Sequence, residues 1–269
     1  MNTHIFKHEC RTRLSSVATW SAALIAMLLI FFSFFPVFAD QAAAMNQLMD
    51  NFPPELRAAF GMGTLDMSTV LGYYSFIFLF IQLCLAIQAA NYGVGLVSIE
   101  ESDLTADFLL TRPVSRASVL TSKLLAALAC LTVTNLVVWA GSFAAIALFR
   151  DGRGYDRRAL LLLLLSIVIF QLFFLGVGLV ISLLVRRVRS VTPYGLGLAF
   201  GAYVLNAFSG LFGDVKLELI TPFKHLDAGE ILSRGALNTP LVLLNLTVTA
   251  LAIGVSYWRY LRRDIPAVS

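Results

Sequence analysis

Charged positions along this chain fall into short islands separated by long apolar stretches. Six stretches carry no Asp, Glu, Lys or Arg, at residues 14–39, 67–99, 124–149, 159–185, 190–213 and 235–258. Each exceeds the roughly 20 residues that a helix needs to cross a bilayer core. Backbone groups in lipid must be satisfied within the protein, and runs of this length are far too long for barrel strands. The pattern predicts an all-α integral membrane protein, a single transmembrane domain over 1–269 with six spans at about 14–39, 69–97, 118–149, 159–185, 192–213 and 237–260. The second run, with 33 residues, is longer than one span requires, so its helix is expected to project beyond the membrane or to begin in a loop.

Between the spans the islands carry local signals. Residues 1–13, "MNTHIFKHECRTR", are basic and hold Ile5, Phe6 and Cys10 at helical spacing, which predicts a short amphipathic helix on the membrane surface. In the first loop, Pro53-Pro54 can open a helix on which Leu56, Ala59 and Phe60 share a face and Gly61 is the stop. In "LITPFKHLDAGEILSRG", Thr221 can cap a helix opened by Pro222. Asp227 and Glu230 have the spacing of a capping box for a second helix, which Gly235 ends. Leu219, Ile220, Phe223, Leu226, Ile231 and Leu232 make this segment too apolar for a plain loop, so half-buried or re-entrant helices are expected. The fifth run holds Gly197 and Gly201 as a GxxxG, a spacing that lets two helices approach closely and so a candidate dimer contact.

Composition sharpens this picture. The chain is 58% hydrophobic and 13% charged, against about 25% charged in soluble domains. Lys7, Arg11 and Arg13 precede the first run, as in a signal peptide, but that run is longer than the about 7–15 residues of a signal's apolar region, so an uncleaved first span is expected. Counting Lys and Arg in the loops with both termini inside gives twelve inside and eight outside, the latter including Arg150, Arg153, Arg157 and Arg158. That bias places both termini and the 98–116 stretch in the cytoplasm. Cys10, Cys84 and Cys130 are scattered and odd in number, which fits neither a disulfide framework nor a metal site.

The chemistry that is missing narrows the function. No GxxxxGK[ST] phosphate loop occurs, and His4, His8 and His225 all lie outside the runs. Intramembrane carboxylates and histidines are the usual relays of ion-coupled transport; the six runs hold none. Gln82, Gln88, Asn91, Asn135, Gln171, Asn206 and Asn245 are polar groups within them, suited to hydrogen bonds between helices. If the chain transports a substrate, the energy must come from a partner. Glu100-Glu101 resembles the double glutamate of CAAX-type membrane proteases, but Thr105 stands where that motif wants an Arg.

The most acidic island, "SIEESDLTADFLLTRPVSR" at 98–116, holds Glu100, Glu101, Asp103 and Asp107. Ser98 and Glu101 have capping-box spacing, Pro113 disfavours helix at Arg112, and Ser115 can cap the next span. A helix of about three turns is the expectation. Leu104 and Phe108 fall on one side, Ala106, Leu109 and Leu110 on another. A lipid-lying helix has one apolar face and a basic polar face, and an acidic one is repelled by anionic lipid. Two apolar sides with net negative charge suit a groove in another protein.

The stretch "EESDLTADFLLTRPVSRASVLTSKLLA" resembles the first cytoplasmic loop of permease subunits of ATP-binding-cassette transporters of the type 2 family. That loop reads as a double acid, a T-x-x-F-L-L run, P-[VI]-S-R and a Lys. "IFKHECRTRLSSVATWS" is similar to the family's connecting helix, apart from Cys10 where an apolar residue is usual. "NFPPELRAAFGM", "TPFKHLDAGEIL" and "YWRYLRRDIP" resemble its first outer loop, its re-entrant segment and its tail.

The resemblance implies a six-span permease in a bacterial or archaeal cell membrane, paired with a second permease copy, as a homodimer, and with two ATPase subunits. ATP and Mg would be bound by those partners, with no cofactor or metal in this chain, no catalytic residues of its own and no nucleic acid. Residues 100–110 would be a coupling helix docked on the ATPase. Glu101 and Asp103 would meet its basic or polar groups, Phe108 and Leu109 would fill its apolar groove, and Arg116 would brace the end, with Glu100, Leu104 and Asp107 also in the coupling segment. The connecting helix with Phe6, Arg11 and Arg13 would touch the ATPase as well. Two other readings stay open on residues alone: a membrane protein that binds a toxic amphiphile without pumping it, and a glutamate-dependent intramembrane protease.

Overall fold

The computed structural model describes residues 2–41, 47, 51, 53, 66–102, 115–185, 188–208 and 219–262, the side chains of 99–102 excepted. The first helix, α1 (Thr3–Ser33), is opened by Asn2, whose side-chain oxygen accepts from the amides of His4 and Ile5. No glycine or proline interrupts it, and Glu9 pairs with Arg13 one turn on. The connecting helix expected to lie apart on the membrane surface is therefore the first part of α1, continuous with the span. After a break at Phe34 follows α2 (Phe35–Asp40), with Pro36 in its first turn, where a missing N–H costs nothing.

A turn held by Asp66, which accepts from Ser68 N, leads into α3 (Val70–Ser102). At 1.5 Å per residue α3 is about 50 Å long, longer than the about 30 Å apolar core of a bilayer, so it projects as expected. Then come α4 (Arg116–Phe149), α5 (Arg157–Leu184) capped by Asp156, and α6 (Thr192–Phe208). The short α7 (Pro222–His225) and α8 (Ala228–Arg234) precede α9 (Thr239–Arg262). Among the described residues there is no strand. Among the described residues five segments are long and apolar enough to cross a membrane: α1 with α2, α3, α4, α5 and α9. The span expected at 192–213 is represented by α6, described for 17 residues. The helix expected after Pro53-Pro54 lies outside the described residues.

Side-chain links order the bundle. At the end holding the N-terminus, here called basal, Asn2 N donates to Ser122 Oγ and the Thr121 hydroxyl meets that of Tyr257 at 2.9 Å. At the distal end Tyr73 donates to the Phe31 carbonyl and Arg153 pairs with Asp40 at 2.6 Å. Helices α1 and α4 thus run from basal to distal, and α3, α5 and α9 return. Arg153, one of the four outer-loop arginines that weakened the orientation count, is held there by Asp40 and by stacking over Phe35.

The most extensive contacts are α3 on α5 and α1 on α4. Lipid gives helices no hydrophobic reason to associate, so small residues and polar contacts decide where they meet. At the α3–α5 crossing a Cβ on Gly93 would sit 2.3 Å from the Leu175 carbonyl oxygen, and one on Gly178 2.7 Å from that of Ala90. The two backbones touch there because neither position has a side chain. Two apolar clusters follow, a distal one around Phe32, Phe35, Tyr73 and Tyr74 and a basal one around Ala89, Leu96, Leu120 and Phe174.

The α7–α8 segment enters the bundle. Phe223 stacks edge-on against Phe170 at 4.9 Å and lies 6.0 Å from Tyr203, and Gln82 Nε2 donates to the Leu226 carbonyl at 3.0 Å. Gln82 stands twelve residues, about 18 Å, along α3 from its distal start, so the tip is re-entrant. Asp227 caps α8 by accepting from Glu230 N, and Gly235 ends it at φ 63°, as the spacing predicts. Thr221 departs from its expected role. It makes no side-chain cap and instead donates to the Ala202 carbonyl on α6, because a tertiary acceptor lies within reach.

Candidate functional site: the basal junction

The expected coupling residues begin where α3 ends. Ser98 does not take its expected capping role. Ser98 Oγ donates back to the Val94 carbonyl at 2.5 Å, and the chain stays helical through Glu100 and Glu101 to Ser102. No helix starts at Ser98, since its amide is already inside the α3 ladder and needs no cap. The first acidic residues therefore extend a spanning helix. Asp103, Leu104, Asp107, Phe108 and Leu109 lie outside the described residues. Chain description resumes at Ser115, whose Oγ accepts from Ser118 N and caps α4, as expected. Arg116 stands half-buried in the first turn of α4.

Directly behind this point lies a charged group that the sequence presents as an ordinary loop cation. Lys123 is 3% exposed, and its Nζ donates to the Leu96 carbonyl of α3 at 2.8 Å. The same ammonium is 3.6 Å from Glu9 Oε1 on α1, and Glu9 also pairs with Arg13. The Arg13 guanidinium lies over the Tyr92 ring, whose hydroxyl donates to Ser16 Oγ. Three helices are thus clamped by one ammonium, one turn above the acidic segment. A lysine of this burial is held by its carboxylate, since an isolated charge in a low-dielectric interior is costly. Of the expected connecting residues, Phe6 is half-buried, Arg11 exposed, and Arg13 committed to Glu9 and Tyr92. Cys10 packs on the basal cluster that includes Cys130, and all the cysteines are free thiols.

The expected dimer contact at Gly197 and Gly201 lies on the outward side of α6, and a Cβ at either would meet nothing within 4 Å. That face also exposes Leu196, Phe200 and Leu205. The glycine of α6 that does approach a neighbour is Gly195, set against Asn91 of α3. Among the described residues no group of three His, Cys, Asp or Glu is placed to hold a metal ion. Among the described residues, the basal junction is a charged link between the first turns of α1, the last turns of α3 and the start of α4.

Comparison with known proteins identifies the family of the chain. Residues 3–265 match the family model described as "ABC-2 family transporter protein". A search of curated proteins finds no match. The family match runs over nearly the whole chain and coincides with a bundle of apolar, membrane-length helices. The chain belongs to the ABC-2 transporter family and is a multi-pass membrane permease.

Proposed function

We propose that this permease is the membrane-spanning subunit of an ATP-driven exporter, which couples to separate ATPase subunits through residues 100–110. The observation that carries the reading is the basal clamp. Helix α3 runs unbroken from the distal face to Ser102, and Lys123 ties its last turns to α1 and α4. A push on the acidic segment would be delivered to three helices at once rather than dissipated in a loop.

On this reading α6 is the fifth of six spans, the basal end is cytoplasmic, and the chain sits in a cell membrane. Two ATPase subunits bind ATP and Mg, and a second copy of this chain completes the pathway through the α6 face that bears Gly197 and Gly201. Glu100, Glu101, Asp103 and Asp107 meet polar groups of the ATPase, while Leu104, Phe108 and Leu109 fill its groove. Arg116 braces the segment, and the first turns of α1, with Phe6 and Arg11, supply a further contact.

The double change Glu101→Lys with Phe108→Ala tests this. Loss of a desolvated interface anchor costs about 2 kcal/mol or more, roughly thirtyfold in affinity. ATPase association and ATP-dependent transport should both fall, while the chain still inserts and remains monodisperse. Unchanged assembly and transport would remove residues 100–110 from the coupling role.

A further inference from the structure

A layer of carboxamides crosses the bundle above the basal clamp. Gln88 of α3 donates through Nε2 to Thr134 Oγ1 of α4 at 3.0 Å. Next to Thr134, Asn135 Nδ2 donates to Gln171 Oε1 of α5 at 2.7 Å. Asn245 of α9 lies at the same height along the bundle. The Gly176 Cβ position lies 3.5 Å from the Thr249 carbonyl, and α5 and α9 run in the same direction. Gln171 stands five residues above Gly176 and Asn245 four above Thr249, about 7.5 and 6 Å at 1.5 Å per residue. Trp139 is one turn above Asn135 on the same face of α4.

These side chains are not fully used by one another. Gln88 Oε1, Asn135 Oδ1, Gln171 Nε2, the Trp139 indole N–H and both polar atoms of Asn245 are buried without a hydrogen-bond partner among the described residues. Exchanging O and N in the Asn135–Gln171 pair changes nothing, since one donor and one acceptor are left over either way. Each such group costs about 1–3 kcal/mol if left unsatisfied in the interior. Ser21, Asn91 and Ser182 carry single atoms of this kind elsewhere in the bundle, whereas here six fall at one level on four helices. No charged residue occurs in the runs that supply them, and the walls are apolar, with Leu131, Val138, Phe170 and Phe174 buried alongside.

We infer that this layer is a binding site for an uncharged amphiphile, a molecule that presents a hydroxyl or amide on an apolar body. The mixture of free donors and acceptors sets the class. An anion would find acceptors facing it and a cation would find donors, and neither would find a countercharge. A hydroxyl or amide uses both kinds and needs none. The re-entrant tip reaches the apolar wall of this level, where Phe223 packs on Phe170 and Phe174. The inference rests on the permease reading in one respect, that such a molecule would be cargo.

Trp139 supplies the readout. In a chain with Trp20→Phe and Trp258→Phe it is the remaining tryptophan of three. Its emission is followed in detergent as dodecanol, dodecanamide, dodecylammonium and dodecanoate are added. A saturable change is expected with the alcohol and the amide and none with the two ions. Asn245→Leu should weaken the response about three- to tenfold. This variant breaks no hydrogen bond among the described residues, so the fold is retained; Gln171→Leu is the second test. Equal responses to charged and neutral probes, or responses unchanged in both variants, would overturn the site. Co-purification of an ATPase is scored separately. An ATPase partner without probe binding removes the site alone, and probe binding without an ATPase removes its role as a cargo site.

Discussion

Replacing Glu9 by glutamine should destabilise the bundle by about 3–5 kcal/mol, the range found when one member of a buried ion pair is removed. Lys123, 3% exposed, would keep its charge with the carboxylate gone and Arg13 still nearby. Lys123→Met is expected to cost less, since Glu9 retains Arg13. The double variant should recover part of the loss, because the ammonium and the carboxylate leave together and only Arg13, still over Tyr92, loses its partner. Heating in detergent, followed by the monodisperse fraction, gives the double-mutant cycle. Additive losses would show that the two residues do not act as a pair. Even where the Glu9→Gln chain remains folded, transport should suffer more than ATPase binding, because the clamp lies above the docking segment and not in it.

The second large effect is expected at the α3–α5 crossing. Overpacking in a core costs about 1–3 kcal/mol when side chains can adjust. At Gly93 the first atom met is a backbone oxygen at 2.3 Å, which no rotamer change can move. Gly93→Val should therefore exceed that range and leave little monodisperse protein, and Gly178→Val should behave alike. Gly197→Ala and Gly201→Ala are the controls. With nothing within 4 Å, they should not destabilise the monomer, and the better helix propensity of Ala works in its favour, so a loss would point to the pairing of two copies. A well-folded Gly93→Val chain would contradict the crossing geometry.

These predictions also mark where the sequence is readable. The spans follow from length and the absence of charge, because lipid forbids an unsatisfied backbone. The re-entrant pair follows from local chemistry at Pro222, Asp227 and Gly235. Its depth does not, since that is set by Gln82 and Phe223 reaching residues far away in the chain. Local signals mislead where a tertiary or ladder contact competes for the same atom. Ser98 has cap spacing, yet it sits inside a long helix and bonds backwards; Thr221 precedes Pro222, yet it donates to α6.

The glycine pattern shows the same limit. A GxxxG at 197 and 201 is conspicuous, whereas Gly93 and Gly178, whose backbones do touch, stand in no paired motif with each other. Lys123 bounds an apolar run and counts as a loop charge until Glu9 and Leu96 are seen around it. The signal that could have found it is weak: one acid, Glu9, in an otherwise basic N-terminal segment. The candidate coupling residues rest on resemblance and amphipathicity, and most lie outside the described residues.

The central claim is that this chain is energised by another. Its most direct test is purification of the tagged wild-type chain from its own host in a mild detergent, with ATP hydrolysis assayed in the eluate. The account predicts an ATPase subunit carrying the phosphate loop that this chain lacks, in near-equal amount, and hydrolysis that is lost with the Glu101→Lys and Phe108→Ala change. Recovery of a stable, monodisperse permease with neither ATPase nor hydrolysis, from cells whose transport persists when candidate ATPases are deleted, would contradict it.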